Sequence, residues 1–262
     1  MHDLILVDTH AHLDIEDFDG DRDEVVKRAA QGGVAAIINA SFDMESSRRS
    51  VDLAGKYRGI YSLVGIHPHD AGDVPEGYLD VLRDLAGKAA VVALGEMGLD
   101  YYRDLSPRPA QQRVFREQLA LARELDMPVV IHDRNAHGDV MSILRQDGVP
   151  ARGGIMHCYS GSWEMALECM KMGFYISIAG PVTYPNAARL KDIAARLPLE
   201  RMLVETDCPY LTPQAYRGKR NEPAYVRYVA EEIASLRGMS PADFARAVTA
   251  NTEEVFGIKI AL

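Results

Sequence analysis

The chain has 262 residues, 47% hydrophobic and 26% charged, an ordinary globular composition with enough apolar material for a sizeable core. Its 29 Lys+Arg stand against 38 Asp+Glu, a formal net charge of −9, which argues against a general nucleic-acid coat; a phosphate-bearing substrate needs local positive charge or metal ions. Three cysteines without framework spacing argue against a disulfide scaffold. The opening "MHDLILVDTHAHLD" has neither a basic region nor a long apolar run, so a cytoplasmic protein with no membrane partner is expected.

Eight short aliphatic runs recur in chain order: "LILVD" (4–8), "VAAIINA" (34–40), "IYSLVGI" (60–66), "AVVALGE" (90–96), "PVVIH" (128–132), "GGIMH" (153–157), "GFYISI" (173–178) and "RMLVET" (201–206). They are apolar almost throughout, as strands covered on both faces are. Their starts lie 20 to 38 residues apart, room for a strand, a helix and two loops each. Between them, "DRDEVVKRAAQGG" opens on acidic residues at the positive end of a helix dipole and stops at Gly32-Gly33. "PAQQRVFREQLALARELDMP" has Pro109 where a first turn tolerates it, with Phe115, Leu119 and Ala122 on one stripe. Two further helices are predicted near 223–237 and 241–255. No linker or repeat is visible, so a single domain over 1–262 is expected.

Eight βα units in one chain predict a (β/α)8 TIM barrel. An open doubly wound sheet also alternates strand and helix. It more often carries a glycine-rich phosphate turn after its first strand, where this chain has "DTHAHLD" without a glycine.

In such a barrel, chemistry collects at the C-terminal ends of the strands. Six metal-capable side chains fall there: His10 and His12 after the first strand, Glu96 ending the fourth, His132 and His157 ending the fifth and sixth, and Asp207 after the eighth. Singly, each has an ordinary explanation. A strand-end His is often only hydrogen-bonded in place, Glu96 a loop carboxylate, Asp207 the N-cap of the next helix. Together they make sense around divalent cations, because neutral imidazoles and carboxylates are costly to bury otherwise. Alternation sets His10 and His12 on one side of an extended segment. The donors exceed what one tetrahedral ion needs. They suit two adjacent ions whose charge lowers the pKa of a water enough to attack an ester or amide.

"DTHAHLD", "GIHPHDA", "ALGEMGLDYY", "PVVIHDRNA", "GIMHCYSG" and "LVETDCPYLTP" followed by "RGKRNEP" resemble the TatD family of metal-dependent deoxyribonucleases in the amidohydrolase superfamily. The match runs in order from residue 7 to about 223; H-x-H is shared across the superfamily, whereas "GEMGLDYY" and "ETDCPYL…RNEP" are far more specific. The resemblance implies that His10, His12, Glu96 and Asp207 hold one ion and Glu96, His132 and His157 the second, with Glu96 bridging. Asp207 and Glu96 are then the catalytic carboxylates, Asp207 orienting or deprotonating the attacking water. The implied cofactor is two divalent ions (Zn, Mn, Ni, Co or Mg). The implied reaction is 3′–5′ hydrolysis of single-stranded DNA or DNA 3′ ends; a monomer is expected because the sequence shows no exposed apolar stripe.

For the substrate, the resemblance gives His67 a phosphate contact; a turn before Pro68 is its ordinary reading, and His69 is expected to be solvated. Arg134 and Arg220, with Arg103, Arg217 and Lys219, offer a local basic rim; Tyr159, with Tyr101, Tyr102 and Tyr210, offers faces for unpaired bases. Asn221 is expected to cap the following helix and to shape the mouth. Cys158 and Cys208 follow ligands directly and point away from them in an extended chain; Trp163 packs at the start of its helix. The alternative chemistry is hydrolysis of an amide, a lactone or an aminoacyl ester such as a D-aminoacyl-tRNA. A non-catalytic metal-binding scaffold is disfavoured because all six ligand positions are filled.

Overall fold

A computed structural model of the chain describes residues 4–260. Eight parallel strands follow one another in chain order as hydrogen-bonded neighbours: β1 (Leu6–Ala11), β2 (Val34–Asn39), β3 (Ile60–Val64), β4 (Val91–Asp100), β5 (Val129–Arg134), β6 (Gly154–Met156), β7 (Phe174–Ile178) and β8 (Met202–Val204). The segment after β8 returns to β1: Asp207 N–H donates to His10 O, and His12 N–H to Cys208 O, both at 2.9 Å. That cyclic order with helices between strands is the (β/α)8 barrel.

Two compact units divide it, residues 4–39 with 176–260 and residues 40–175. In the first, β1 runs beside β2 (Leu6 opposite Val34, Ala11 opposite Asn39) and β7 beside β8 (Ile176 opposite Met202). Its helices are α1 (Arg22–Gln31), α7 (Ala188–Arg196), α8 (Val226–Leu236) and α9 (Pro241–Phe256). α9 starts because the Ser240 hydroxyl accepts from Asp243 N–H at 3.1 Å with Pro241 in its first turn, and it stops at Gly257 in the left-handed region. It is pinned at the entries to β1 and β8 by Thr249, whose hydroxyl donates to Ile5 O, and by Asn251, whose amide donates to Leu199 O and Met202 O.

In the second unit, β3 to β6 carry α2 (Met44–Lys56), α3 (Tyr78–Ala86), α4 (Arg108–Leu125), α5 (His137–Asp147) and α6 (Trp163–Lys171). The stripe of Phe115, Leu119 and Ala122 is buried as the sequence predicts. Two glutamines on the same face are buried with it. Gln118 both accepts from Ile66 N–H and donates to Ile66 O, and Gln111 does the same for Asp100. An amide that satisfies a strand's backbone groups looks polar in sequence, so hydropathy misses it.

Strand boundaries differ from expectation where the functional residues lie. β1 starts at Leu6 and takes in His10, rather than ending at Asp8. β4 runs on to Asp100, so Glu96 lies inside it rather than at its end. The cause is a bulge. Leu94 faces Val129 and Met97 faces Ile131, so β4 spends one more residue than β5 over this stretch. Gly95 and Gly98 flank Glu96 at φ of 147° and 141°, and a Cβ at Gly98 would collide with the His132 carbonyl. Among the described residues, no helix is long and apolar enough to cross a membrane.

Candidate metal centre

The first unit gathers His10, His12 and Asp207. β1 buries His10 completely and releases the chain just before His12. The two rings meet edge to face with centroids 5.0 Å apart, as the alternation predicts for one side of an extended segment. Asp207 has φ 58°, and Tyr210 N–H donates to its carbonyl at 3.0 Å, so a tight turn begins here. No helix starts at Asp207, and the capping explanation of this residue fails. Its Oδ1 instead lies 3.4 Å from His12 Nε2 and 3.9 Å from His10 Nε2.

Behind this group lie two carboxyls the sequence reading passed over, Asp8 and Glu205, both fully buried. Burial pushes the Asp8 carboxyl up to about 8, against hydrogen bonds from the Thr206 hydroxyl and Thr206 N–H that pull it down. The sequence signal was present: "LVD" and "VETD" place acids within or directly after otherwise apolar runs.

The second unit gathers Glu96, His132, His157 and His67. The bulge turns Glu96 so that its Oε1 lies 2.6 Å from His132 Nδ1, 3.1 Å from His157 Nε2 and 3.6 Å from His67 Nε2. His132 is opposite Gly98 in the β4–β5 register, and His157 follows β6 with its N–H donating to Ile131 O. Glu96 and His157 are almost fully buried and His132 nearly so.

The two histidines after β3 are told apart by their hydrogen bonds. His67 Nδ1 accepts from His69 N–H at 3.1 Å, so a neutral His67 carries its proton on Nε2. It therefore faces Glu96 as a donor and is unsuited to ligate a cation through Nε2. His69 is not simply solvated: its Nε2 donates to Asp100 Oδ2 at 2.9 Å.

The donor set fits a divalent cation on a specific ground. His132 Nε2 donates to Asp100 Oδ2 at 3.1 Å, which leaves the lone pair of a neutral ring at Nδ1, aimed at the Glu96 carboxylate. Two acceptors at that separation need a positive charge between them. Burial pulls the His132 imidazole down, but the hydrogen bonds it donates to the Asp100 and Glu96 carboxylates, with the Glu96 charge, outweigh it and raise the ring to about 8. A divalent cation meets the same requirement with more charge.

The remaining candidates lie at different depths. Arg134 stacks over Tyr102, its guanidinium carbon 4.0 Å from the ring centroid, and Tyr102 is 59% exposed. Tyr210 is 57% exposed, with its ring 6.1 Å from that of His12. Tyr159 is buried, its hydroxyl donating to Ser162 O at 2.6 Å. Arg220 lies over Phe18 and donates to both Asp21 oxygens, holding that carboxyl below its usual range and the loop after β8 against α1. Arg217 and Lys219 lie over Tyr184 and Tyr216. Asn221 is fully buried, its amide donating to Thr206 O and Tyr210 O. It braces the turn that carries Asp207 rather than capping α8, which is preceded by a short 3-10 turn at Pro223–Tyr225. Cys208 is buried and Cys158 half-buried, and Trp163 opens α6 behind the Ser162 cap.

A (β/α)8 barrel whose strand ends carry clustered imidazoles and carboxylates defines a metal-dependent hydrolase. The family model "TatD related DNase" matches residues 7–257, and the chain belongs to that family. The Bacillus subtilis protein YabD, named an uncharacterized metal-dependent hydrolase, is 48% identical over 97% of this chain and 100% of its own. The protein TatD of Cronobacter sakazakii, named a 3′–5′ ssDNA/RNA exonuclease, is 36% identical over 96% of this chain and 97% of its own. The crystal structure of YjjV, a TatD homologue from Escherichia coli, superposes with a TM-score of 0.91 at 34% identity, covering 97% of this chain and 98% of that one.

Proposed function

We propose that the two groups serve one two-ion centre that hydrolyses phosphodiester bonds in single-stranded nucleic acid, working from the 3′ end. His10, His12, Glu96 and Asp207 hold one ion, and Glu96, His132 and His157 the other, so that both compact units act as one catalytic domain. The observation that carries the reading is the Glu96 carboxylate oxygen, approached by His132 Nδ1 and His157 Nε2 within 3.1 Å. The family model, which spans residues of both units, supports joining the groups, and relatives named ssDNA/RNA exonucleases support the substrate.

Bound at this site, divalent cations would lower the pKa of water toward neutrality and offset charge on a phosphoryl group under attack. The chain supplies the rest. Asp207 keeps 13% side-chain exposure and accepts the proton of the attacking water, with its backbone fixed by the bond to His10 O. His67, protonated at Nε2, donates to a phosphoryl oxygen. Tyr102 with Arg134 in one unit and Tyr210 in the other stack on unpaired bases, which suits single strands better than duplex. Tyr159, Arg220 and Asn221 shape the loops that carry these groups.

The test is cleavage of end-labelled single-stranded DNA by metal-loaded protein, with a chelator control. Cleavage that chelation stops and that Glu96→Ala or His132→Ala removes, with the circular dichroism unchanged, is expected. Turnover of a lactone or an aminoacyl ester without cleavage of DNA or RNA would reassign the chemistry to another ester.

A further inference from the structure

The last residue of β4, Asp100, is fully buried and its carboxylate has four donors. Oδ1 accepts from Tyr102 N–H at 2.9 Å and Arg103 N–H at 2.7 Å; Oδ2 accepts from His69 Nε2 at 2.9 Å and His132 Nε2 at 3.1 Å. Gln111 grips the backbone on either side, accepting from Asp100 N–H and donating to Asp100 O. So complete a set leaves the carboxylate no freedom to rotate. With donors facing both of its oxygens, the group serves there as an acceptor only.

We infer that Asp100 is the positioning residue of the metal centre: it selects the His132 tautomer that presents Nδ1 to an ion, and it ties that choice to the loop bearing Tyr102. An acceptor-only group facing Nε2 forces the ring proton there and leaves the Nδ1 lone pair for ligation. The same carboxylate organises the chain at Tyr102 and Arg103, so ligand geometry and the outer tyrosine–arginine stack share one anchor. This rests on the metal-centre reading above.

Asn at this position is the discriminating replacement, because it keeps the shape but carries one acceptor and one donor. If its NH2 faces the imidazoles, His132 loses its acceptor and shifts its proton to Nδ1, the atom meant for the ion. If its oxygen faces them, the NH2 meets the Tyr102 and Arg103 N–H groups, donor against donor. Either way the arrangement is frustrated.

Metal-free wild type and Asp100→Asn would be titrated with Zn2+ by calorimetry, with circular dichroism as a check on the fold. Wild type is expected to take up two ions. The variant should keep one at near wild-type affinity and bind the other about 10–100-fold more weakly, the usual penalty for removing the partner behind a ligating histidine. In parallel, long-range 1H–15N spectra of Zn2+-loaded wild type should place the His132 proton on Nε2, hydrogen-bonded to Asp100. The spectra decide the question even if the variant fails to fold. Unchanged affinity for both ions in Asp100→Asn, or a wild-type His132 protonated at Nδ1, overturns the inference. Wild type that takes up no Zn2+ overturns the metal-centre reading itself, a distinct failure.

Discussion

The two candidate ligand groups are organised by different means. Around His10, His12 and Asp207 the main chain does the placing: two backbone hydrogen bonds join β1 to the turn after β8, and the side chains follow from strand alternation and one left-handed residue. Around Glu96, His132 and His157, side chains place one another, through a bulge, a carboxylate contacted by imidazoles, and Asp100 behind them. Backbone pairing survives truncation of a neighbouring side chain. A side-chain network does not, because each loss leaves a buried polar group unpaired. The first group should therefore lose its members independently, and the second should fail as a unit.

Bound-metal analysis after single substitutions is the most drastic way to break that contrast. His12→Ala should forfeit one of two ions, whereas Glu96→Ala, the proposed bridge, should forfeit both, and each should reduce DNA hydrolysis to background. Equal metal loss in the two variants would erase the distinction. The next effect concerns substrate affinity. Tyr102, sandwiched with Arg134, should matter more than Tyr210, which lies edge-on to His12. Tyr102→Ala should raise KM for single-stranded DNA by roughly 5- to 150-fold, the 1–3 kcal/mol of one base stack, with kcat changed far less. Tyr210→Ala should fall at the lower end, and an equal or larger effect there would reverse the order.

The first group was the more legible in sequence because its logic is periodic. "DTHAH" states its geometry through period-two alternation, and the structure keeps both rings on one side. Eight aliphatic runs at regular spacing likewise announced the barrel. The second group depends on a bulge and on amides hidden in a helix, neither of which has a periodic signature. Glu96 was found but placed at a strand end, because a hydropathy reading stops β4 where Gly95 and Glu96 interrupt the apolar run. Asp100 escaped altogether. Within "GLDYY" it reads as a loop acid, and only the fold brings His69 and His132 to it across 31 and 32 residues. Asp8 and Glu205 were missed for the opposite reason: one sits inside β1 and the other directly follows β8, and both were absorbed into apolar runs.

Stability separates the two regions more gently. Gln118 in α4 and Asn251 in α9 are buried amides that reach strand ends, but Gln118 serves both a donor and an acceptor on Ile66, whereas Asn251 serves two carbonyls. An orphaned N–H is tolerated less well than an under-satisfied carbonyl. Gln118→Leu should therefore be the more damaging in urea unfolding, at about 1–3 kcal/mol for each group left unpaired. Asn251→Leu should cost less, and the reverse ranking would show that α9 bears more on the fold than α4.

The smallest effect is electrostatic and confined to the network side. Asp70 closes the short turn after His67. Burial first, then the charges of Asp43 and Asp73, raise its carboxyl from 3.8 to about 6. A carboxyl whose pKa is higher in the folded than in the unfolded chain binds its proton more tightly when folded. The stability this gives is fully present below the unfolded value and is lost as pH rises through about 6. Asp70→Asn, which cannot ionise, should match wild type near pH 4 and melt higher near neutrality. Because the side chain is only half-buried, solvent screening holds the gain to on the order of a degree or two in Tm. A variant advantage that is the same at both pH values would mean that Asp70 acts through packing, and that its charge places no electrostatic load on this side of the molecule.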